Sequence, residues 1–212
     1  MNRAEKLDSA YISLLIKAWI STVVPSMFRR RRRTLQISVL LSGLVIGAQA
    51  QSPGEYQVKA AFLFNFAKFV EWPPDAFPRP DAPLQICVLG QDPFGVEFER
   101  SIVEKVVQGH KIKVAHPDDV PQARACQILF IASSEKQRIR DILQGLQGAS
   151  VLTVADTPSF IQSGGIINFV LDQERVRFEI NLKAAELAHL KLSARLLTVA
   201  ERVLPGDQAG EN

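Results

Sequence analysis

The sequence predicts an α/β protein: a single three-layer domain on a mostly parallel sheet, with an antiparallel edge hairpin and C-terminal helices. Three observations carry this. Helical and strand patterns alternate from residue 55 onward. Residues 127–132 are a continuous apolar run, as suits a central strand buried on both faces. Two strand patterns, 166–171 and 175–180, are separated only by a short polar turn, Asp172-Gln173-Glu174, the spacing of a hairpin.

The elements follow in order. Residues 55–70 read as a helix, because Val58, Phe62, Phe66 and Phe69 recur at helical steps, which makes them the expected core stripe. Trp72-Pro73-Pro74 stops it, since proline cannot continue a helix. A proline-rich loop over 75–83 leads to a strand at 84–89 that ends at Gly90. Residues 94–107 look helical, and 111–115 alternate like a half-exposed strand. After the buried strand at 127–132, 135–146 is an amphipathic helix closed by Gly148, and 151–155 is a further apolar strand. Residues 160–162 suit one helical turn, and Gly164-Gly165 opens the hairpin. Two helices complete the chain, one over 182–190 and one capped by Ser193 with Leu196, Leu197, Ala200 and Val203 facing inward. Pro205-Gly206 ends it, leaving 205–212 as a loose tail.

The segment before residue 51 reads as an export signal. Arg29 to Arg33 are five consecutive arginines, followed by an apolar stretch over 35–47 and the small-x-small triplet Ala48-Gln49-Ala50. Basic, then apolar, then A-x-A is the order of a cleaved secretory signal, and the apolar stretch falls short of the roughly 20 residues a membrane span needs. Residues 1–50 are therefore expected to be a signal region cleaved after Ala50, with Met27 the true start, because a signal beginning there has ordinary proportions. The working domain is then 51–204, in the periplasm. Residues 1–50 hold eight of the 25 basic and two of the 22 acidic side chains, which leaves 17 against 20 and a net charge of −3. The high isoelectric point belongs to the discarded segment and gives no reason to expect nucleic acid or anionic lipid as a partner.

The two cysteines, Cys87 and Cys126, both lie in the exported part, where an even pair reads as a disulfide. Cys87 falls in the first strand of the alternating pattern and Cys126 just before the third. A bridge needs the Cα atoms about 4.4–6.8 Å apart, so those strands should be neighbours, which is the flavodoxin-like order 2-1-3-4.

The usual catalytic patterns are missing: there is no H-E-x-x-H, C-x-x-C or G-x-S-x-G. His110, His116 and His189 sit in different elements without ligand spacing, so no metal and no cofactor is expected, nor catalytic residues. Gly90 and Gly95 resemble the frame of a phosphate loop, but Val96 and Glu97 stand where its Lys and Ser/Thr are needed. Asp118-Asp119 is a turn or helix start, since adjacent side chains diverge. Two features remain. Asp92, Ser133, Ser134 and Asp156 all follow strands, at the sheet edge where open α/β sheets bind ligands, and form a candidate ligand cleft; Ser133 and Ser134 are more simply a helix cap. On the first helix, Ala60, Phe64 and Ala67 make a second apolar face opposite the core stripe, a candidate interface with a partner or a second copy.

Several segments together are recognisable. The first runs from Lys59 to Pro73 (KAAFLFNFAKFVEWP), the second from Cys87 to Gly95 (CVLGQDPFG), and the third joins FEINLKAA, beginning at Phe178, to LKLSARLL, beginning at Leu190; Gly164-Gly165-Ile166 lies between the second and the third. In this order they resemble the YfiR family of periplasmic regulators, from about Glu55 to Val203. The resemblance implies a non-enzymatic periplasmic protein that binds the periplasmic portion of an inner-membrane diguanylate cyclase and holds it inactive, lowering cyclic di-GMP and biofilm formation. It also implies a homodimer and redox sensitivity. Cys87 and Cys126 match one disulfide of that family; a second pair found in its best-studied member has no counterpart here, which leaves both a purely structural and a regulatory role open for the remaining bridge. The competing expectation is a stand-alone periplasmic sensor of a small ligand, using the cleft near Asp92, Ser133 and Asp156 and serving another membrane signalling protein.

Overall fold

The computed structural model describes residues 53–206; the expected signal region, its start at Met27 and residues 207–212 lie outside them. In chain order the elements are α1 (Pro53–Phe69), β1 (Val70–Glu71), β2 (Leu84–Leu89), α2 (Val96–Ile102), β3 (Val106–Val107), β4 (His110–Ala115), α3 (Val120–Ala123), β5 (Ile128–Ile131), α4 (Ile139–Gly145), β6 (Leu152–Ala155), β7 (Ile167–Asp172), β8 (Arg175–Asn181), α5 (Leu182–Leu187), β9 (Lys191–Leu192), α6 (Ala194–Val199) and β10 (Arg202–Leu204).

The main sheet has the order β10-β8-β7-β6-β5-β2-β4-β3. Its centre, β4-β2-β5-β6, is parallel throughout and follows the expected 2-1-3-4 order. The β7–β8 pair is the expected antiparallel hairpin. Its turn is two residues, Gln173 (φ 47°) and Glu174 (φ 62°), both left-handed, as a turn that matches the strand twist requires.

Alternation along the strands builds the layers. Ile86 and Val88, Ile128 and Phe130, Leu152 and Val154 face one side, where Leu63, Phe66, Ala67 and Val70 at the end of α1 meet them, together with Phe98 and Ile102 of α2. Cys87 and Leu89, Leu129 and Ile131, and Ala155 face the other, under Ala123 of α3, Ile139 and Ile142 of α4, and Phe160. The Cys87–Cys126 disulfide lies in this second layer, with Cα atoms 6.0 Å apart and β2 beside β5 as the bridge requires. Buried Gln127 knits the strand starts together: its side chain accepts from Gln85 N at 2.8 Å and donates to Ala76 O at 2.7 Å.

Three expectations are corrected. The helix predicted over 94–107 stops at Ile102, where Val103 turns extended (ψ 144°) and Glu104 left-handed (φ 70°); Gln108 (φ 52°) and Gly109 (φ 85°) then make a two-residue hairpin turn that pairs β3 with β4 at the sheet edge. Val203 lies in a strand, not on a helix: α6 ends at Val199, Glu201 N donates to Phe178 O at 2.8 Å, and β10 pairs parallel to β8. On α1 the buried stripe is Lys59, Leu63, Phe66 and Ala67, continued by Val70 of β1, one residue round from the expected one; Val58 is exposed. Phe62 instead joins Phe66 in stacking against Phe169 and Phe178 of the hairpin, with centroids 5.2–6.0 Å apart.

Gly165 carries a close approach in this fold. A methyl group there would overlap the ring of Phe160, which is fully buried and has no free volume to move into. Gly165→Ala is expected to destabilise the protein by about 1–3 kcal/mol, measured by urea unfolding.

Candidate functional site

The four residues of the predicted cleft do follow the carboxyl ends of β2, β5 and β6, but their side chains form separate groups. Asp92 closes its own turn, accepting from Phe94 N at 2.8 Å, and approaches His116 Nε2 at 3.4 Å. Ser134 does not cap the helix it begins. Its Oγ accepts from Gln91 N at 2.9 Å, lying where a side chain on Gly90 (φ 92°) would have to go. Ser133 is exposed at the start of a 3-10 segment, Ser133–Arg138. Asp156 is turned away from these three, toward α1.

Around Asp156 the structure gathers residues that sequence reasoning missed. Lys59 Nζ lies 2.7 Å from Asp156 Oδ2 and 2.5 Å from Glu55 Oε1, with both Lys59 and Asp156 side chains 3% exposed. Tyr56 donates its hydroxyl to the same Asp156 oxygen at 2.8 Å, and its ring lies 4.4 Å below the Lys59 ammonium. The ring also meets Phe94 edge-on at 5.5 Å, which seats the first turns of α1 over the sheet. One buried ammonium thus holds two carboxylates. Asp156 Oδ1, Thr157 Oγ1 and the side-chain oxygen of buried Asn168 find no hydrogen-bond partner among the described residues.

Asp156 and Asn168 line a cavity of about 610 Å³, together with Glu55, Lys59, Glu179 and Arg202. Arg202 Nη2 pairs with Glu179 Oε1 at 2.7 Å. Three carboxylates and two cations therefore line the cavity, a formal excess of one negative charge. Asp92, Ser133 and Ser134 are not among its lining residues. The Glu55–Lys59 spacing of four was a signal that could have found this group; Asn168, Glu179 and Arg202, drawn from three strands, left none.

The second face of α1 is only partly apolar and only partly free. Ala60 and Phe64 are half-buried, but Ala67 is completely buried in the core, so it is removed from the candidate interface: the helix turns that position toward the sheet. The Phe64 ring carries two ammonium groups, Lys68 Nζ at 4.4 Å and Lys105 Nζ at 4.6 Å from its centroid. Partial burial, and then the neighbouring charge of Lys105, hold the Lys68 amine below the ordinary lysine value. Gln108, in the β3–β4 turn, donates from Nε2 to Val70 O at 2.9 Å and Ala67 O at 3.3 Å, satisfying carbonyls that the end of α1 leaves open. The result is a partly exposed aromatic ring with two ammonium groups over it.

No described helix is long and apolar enough to cross a membrane, and no group of three or more His, Cys, Asp or Glu among the described residues is arranged to hold a metal ion.

Comparison with solved structures finds distant partial likenesses. A conserved domain protein from Vibrio cholerae O1 biovar El Tor matches with a TM-score of 0.44 and 13% identity over 57% of this chain and 55% of that one. An ABC domain in complex with L-Trp from Streptococcus pneumonia matches with a TM-score of 0.41 and 11% identity over the same shares. The chain thus spans about half the length of these solved structures. A search among curated proteins finds no match. The sequence model of one family matches residues 56–201, most of the chain and nearly all of the described fold, and by that match the protein belongs to the YfiR/HmsC-like family.

Proposed function

We propose that this protein is a non-enzymatic periplasmic regulator that binds the periplasmic domain of an inner-membrane diguanylate cyclase and holds it inactive, lowering cyclic di-GMP. Family membership supports the class of protein. The observation that carries the binding reading is Phe64, an aromatic ring of α1 that packs against the core, as Ala60 does, yet stays partly exposed under the Lys68 and Lys105 ammonium groups. Aromatic side chains with positive rims are frequent anchors of protein interfaces, and this one suits a partner surface that offers carboxylates around an apolar spot. Inhibition by such a protein needs no chemistry. Binding one state of the partner's sensor domain more tightly than the other shifts the population toward it by the difference in affinity.

The test is affinity capture. Tagged mature protein, incubated with solubilised inner membranes and read by mass spectrometry, is expected to recover a membrane diguanylate cyclase. Phe64→Glu is expected to abolish recovery while circular dichroism shows the fold intact, because the new carboxylate removes the apolar anchor and neutralises the lysine rim. Recovering another membrane sensor would redirect the pathway. Recovering only further copies of this chain would make the face a homodimer interface instead.

A further inference from the structure

We propose that the cavity beside Asp156 is a binding site for a small organic cation carrying a primary ammonium group on an apolar body. The inference does not depend on which membrane protein is the partner.

Two cavities of similar size flank the sheet, and their polar groups differ. The one of about 650 Å³ at the other end of β6 is lined by Thr153 and Asn181. Both are satisfied: Thr153 Oγ1 accepts from Ile166 N at 3.1 Å, while Asn181 donates to Ile161 O at 2.8 Å and accepts from Ala184 N at 3.0 Å. In the cavity of about 610 Å³, Asp156 Oδ1 and Asn168 Oδ1 are buried acceptors without a donor among the described residues. Buried acceptors are nearly always paired, and leaving one unpaired is costly, most of all when it is charged, so two of them beside one cavity point to a donor brought from outside.

The chemistry of the donor follows from what surrounds these oxygens. The lining carries one more carboxylate than cation, which favours a positive ligand and disfavours an anion. A bare metal ion is poorly served, because Glu55 and Asp156 already share the Lys59 ammonium and Glu179 is paired with Arg202. The two acceptors are covered, so the head group that reaches them must be compact and must carry at least two N–H donors. A primary ammonium meets both conditions; a quaternary ammonium has no N–H. Val170 and Leu171, the latter 57% exposed, extend the lining toward solvent and offer apolar contact for the rest of the ligand.

The probe is n-butylamine, titrated into the mature protein and followed by the backbone amide shifts of Asp156 and Asn168. Two controls of similar size divide the argument: n-butanol lacks the charge and tetramethylammonium lacks the N–H donors. Saturable shifts with butylamine alone are expected. Asn168→Leu, which keeps the size and removes one acceptor, is expected to weaken butylamine at least tenfold while the ligand-free protein melts at or above the parent. No saturable shift, equal shifts with all three probes, or unchanged affinity in Asn168→Leu would overturn the proposal. Asn168→Leu removes an unpaired buried carbonyl and keeps the side-chain volume, so the variant is expected to fold.

Discussion

Lys59→Ala is expected to destabilise the domain by about 3–5 kcal/mol, more than any other single truncation at this site. The lysine is 2% exposed, and removing it strands two carboxylates, Asp156 at 3% and Glu55 at 9% side-chain exposure, with no cation between them. The cost is mostly that of leaving charge buried and unpaired, not of the attraction lost, and a second variant separates the two. Lys59→Met with Asp156→Leu removes both the ammonium and the carboxylate it holds most closely, and should recover much of the loss, because replacing a buried pair by apolar groups of similar size is often close to neutral. Urea unfolding of the parent, the single and the double variant at neutral pH gives the comparison. A Lys59→Ala cost below about 1 kcal/mol would mean that water reaches the group freely and that it behaves as a surface pair.

The reason a charged cluster is kept there bears on function. An apolar replacement would hold α1 on the sheet as well, so stability alone does not explain Glu55, Lys59 and Asp156. They lie on the same 17-residue helix, or against it, that carries Phe64 one turn further on. Anything that bound at the cavity and drew Asp156 away from Lys59 would act directly on the helix that presents the proposed interface.

How much of this was legible in the sequence depended on the range of the signal. The six longer strands, β2 and β4 to β8, were readable because their patterns are local, and the two cysteines added a distance constraint that set β2 beside β5; the two- and three-residue strands were not. The end of α2 was misread because Val103, Val106 and Val107 continue an apolar pattern, while the Gln108-Gly109 turn that redirects the chain rests on one glycine. The stripe on α1 was misread for a sharper reason: the residue at its buried head is Lys59, and a lysine counts against a core face until the partners that neutralise it are known. Those partners are one turn away in Glu55 and 97 residues away in Asp156, and only the first is visible in a helical pattern. Ala67 went to the outer face by the same rotation. Phe64 was singled out, but not the charge beside it, because Lys105 reaches it from the connection between α2 and β3.

Removing the disulfide is expected to cost up to about 4 kcal/mol without abolishing partner capture. The bridge closes residues 39 apart, and constraining the unfolded chain over a loop of that length accounts for a loss of this size on the chain-entropy model. The native contacts around it are otherwise complete, since β2 and β5 are paired through four residues and Cys87 and Cys126 are 0% and 3% exposed within a packed layer. Cys87→Ala with Cys126→Ala should therefore lower the urea midpoint with little change in its slope. The layer that holds the bridge is the one away from α1: Cys87 packs with Leu129 and Ile142, while Leu63 and Phe66 pack on the opposite face of the same strands. A bridge in that position stabilises the frame and makes no contact with the Phe64 surface. Below its own melting temperature the double variant should capture the same membrane partner as the parent. If capture is instead lost while the fold persists, the disulfide is a redox control acting through the sheet, and the structural role assigned to it from its position fails.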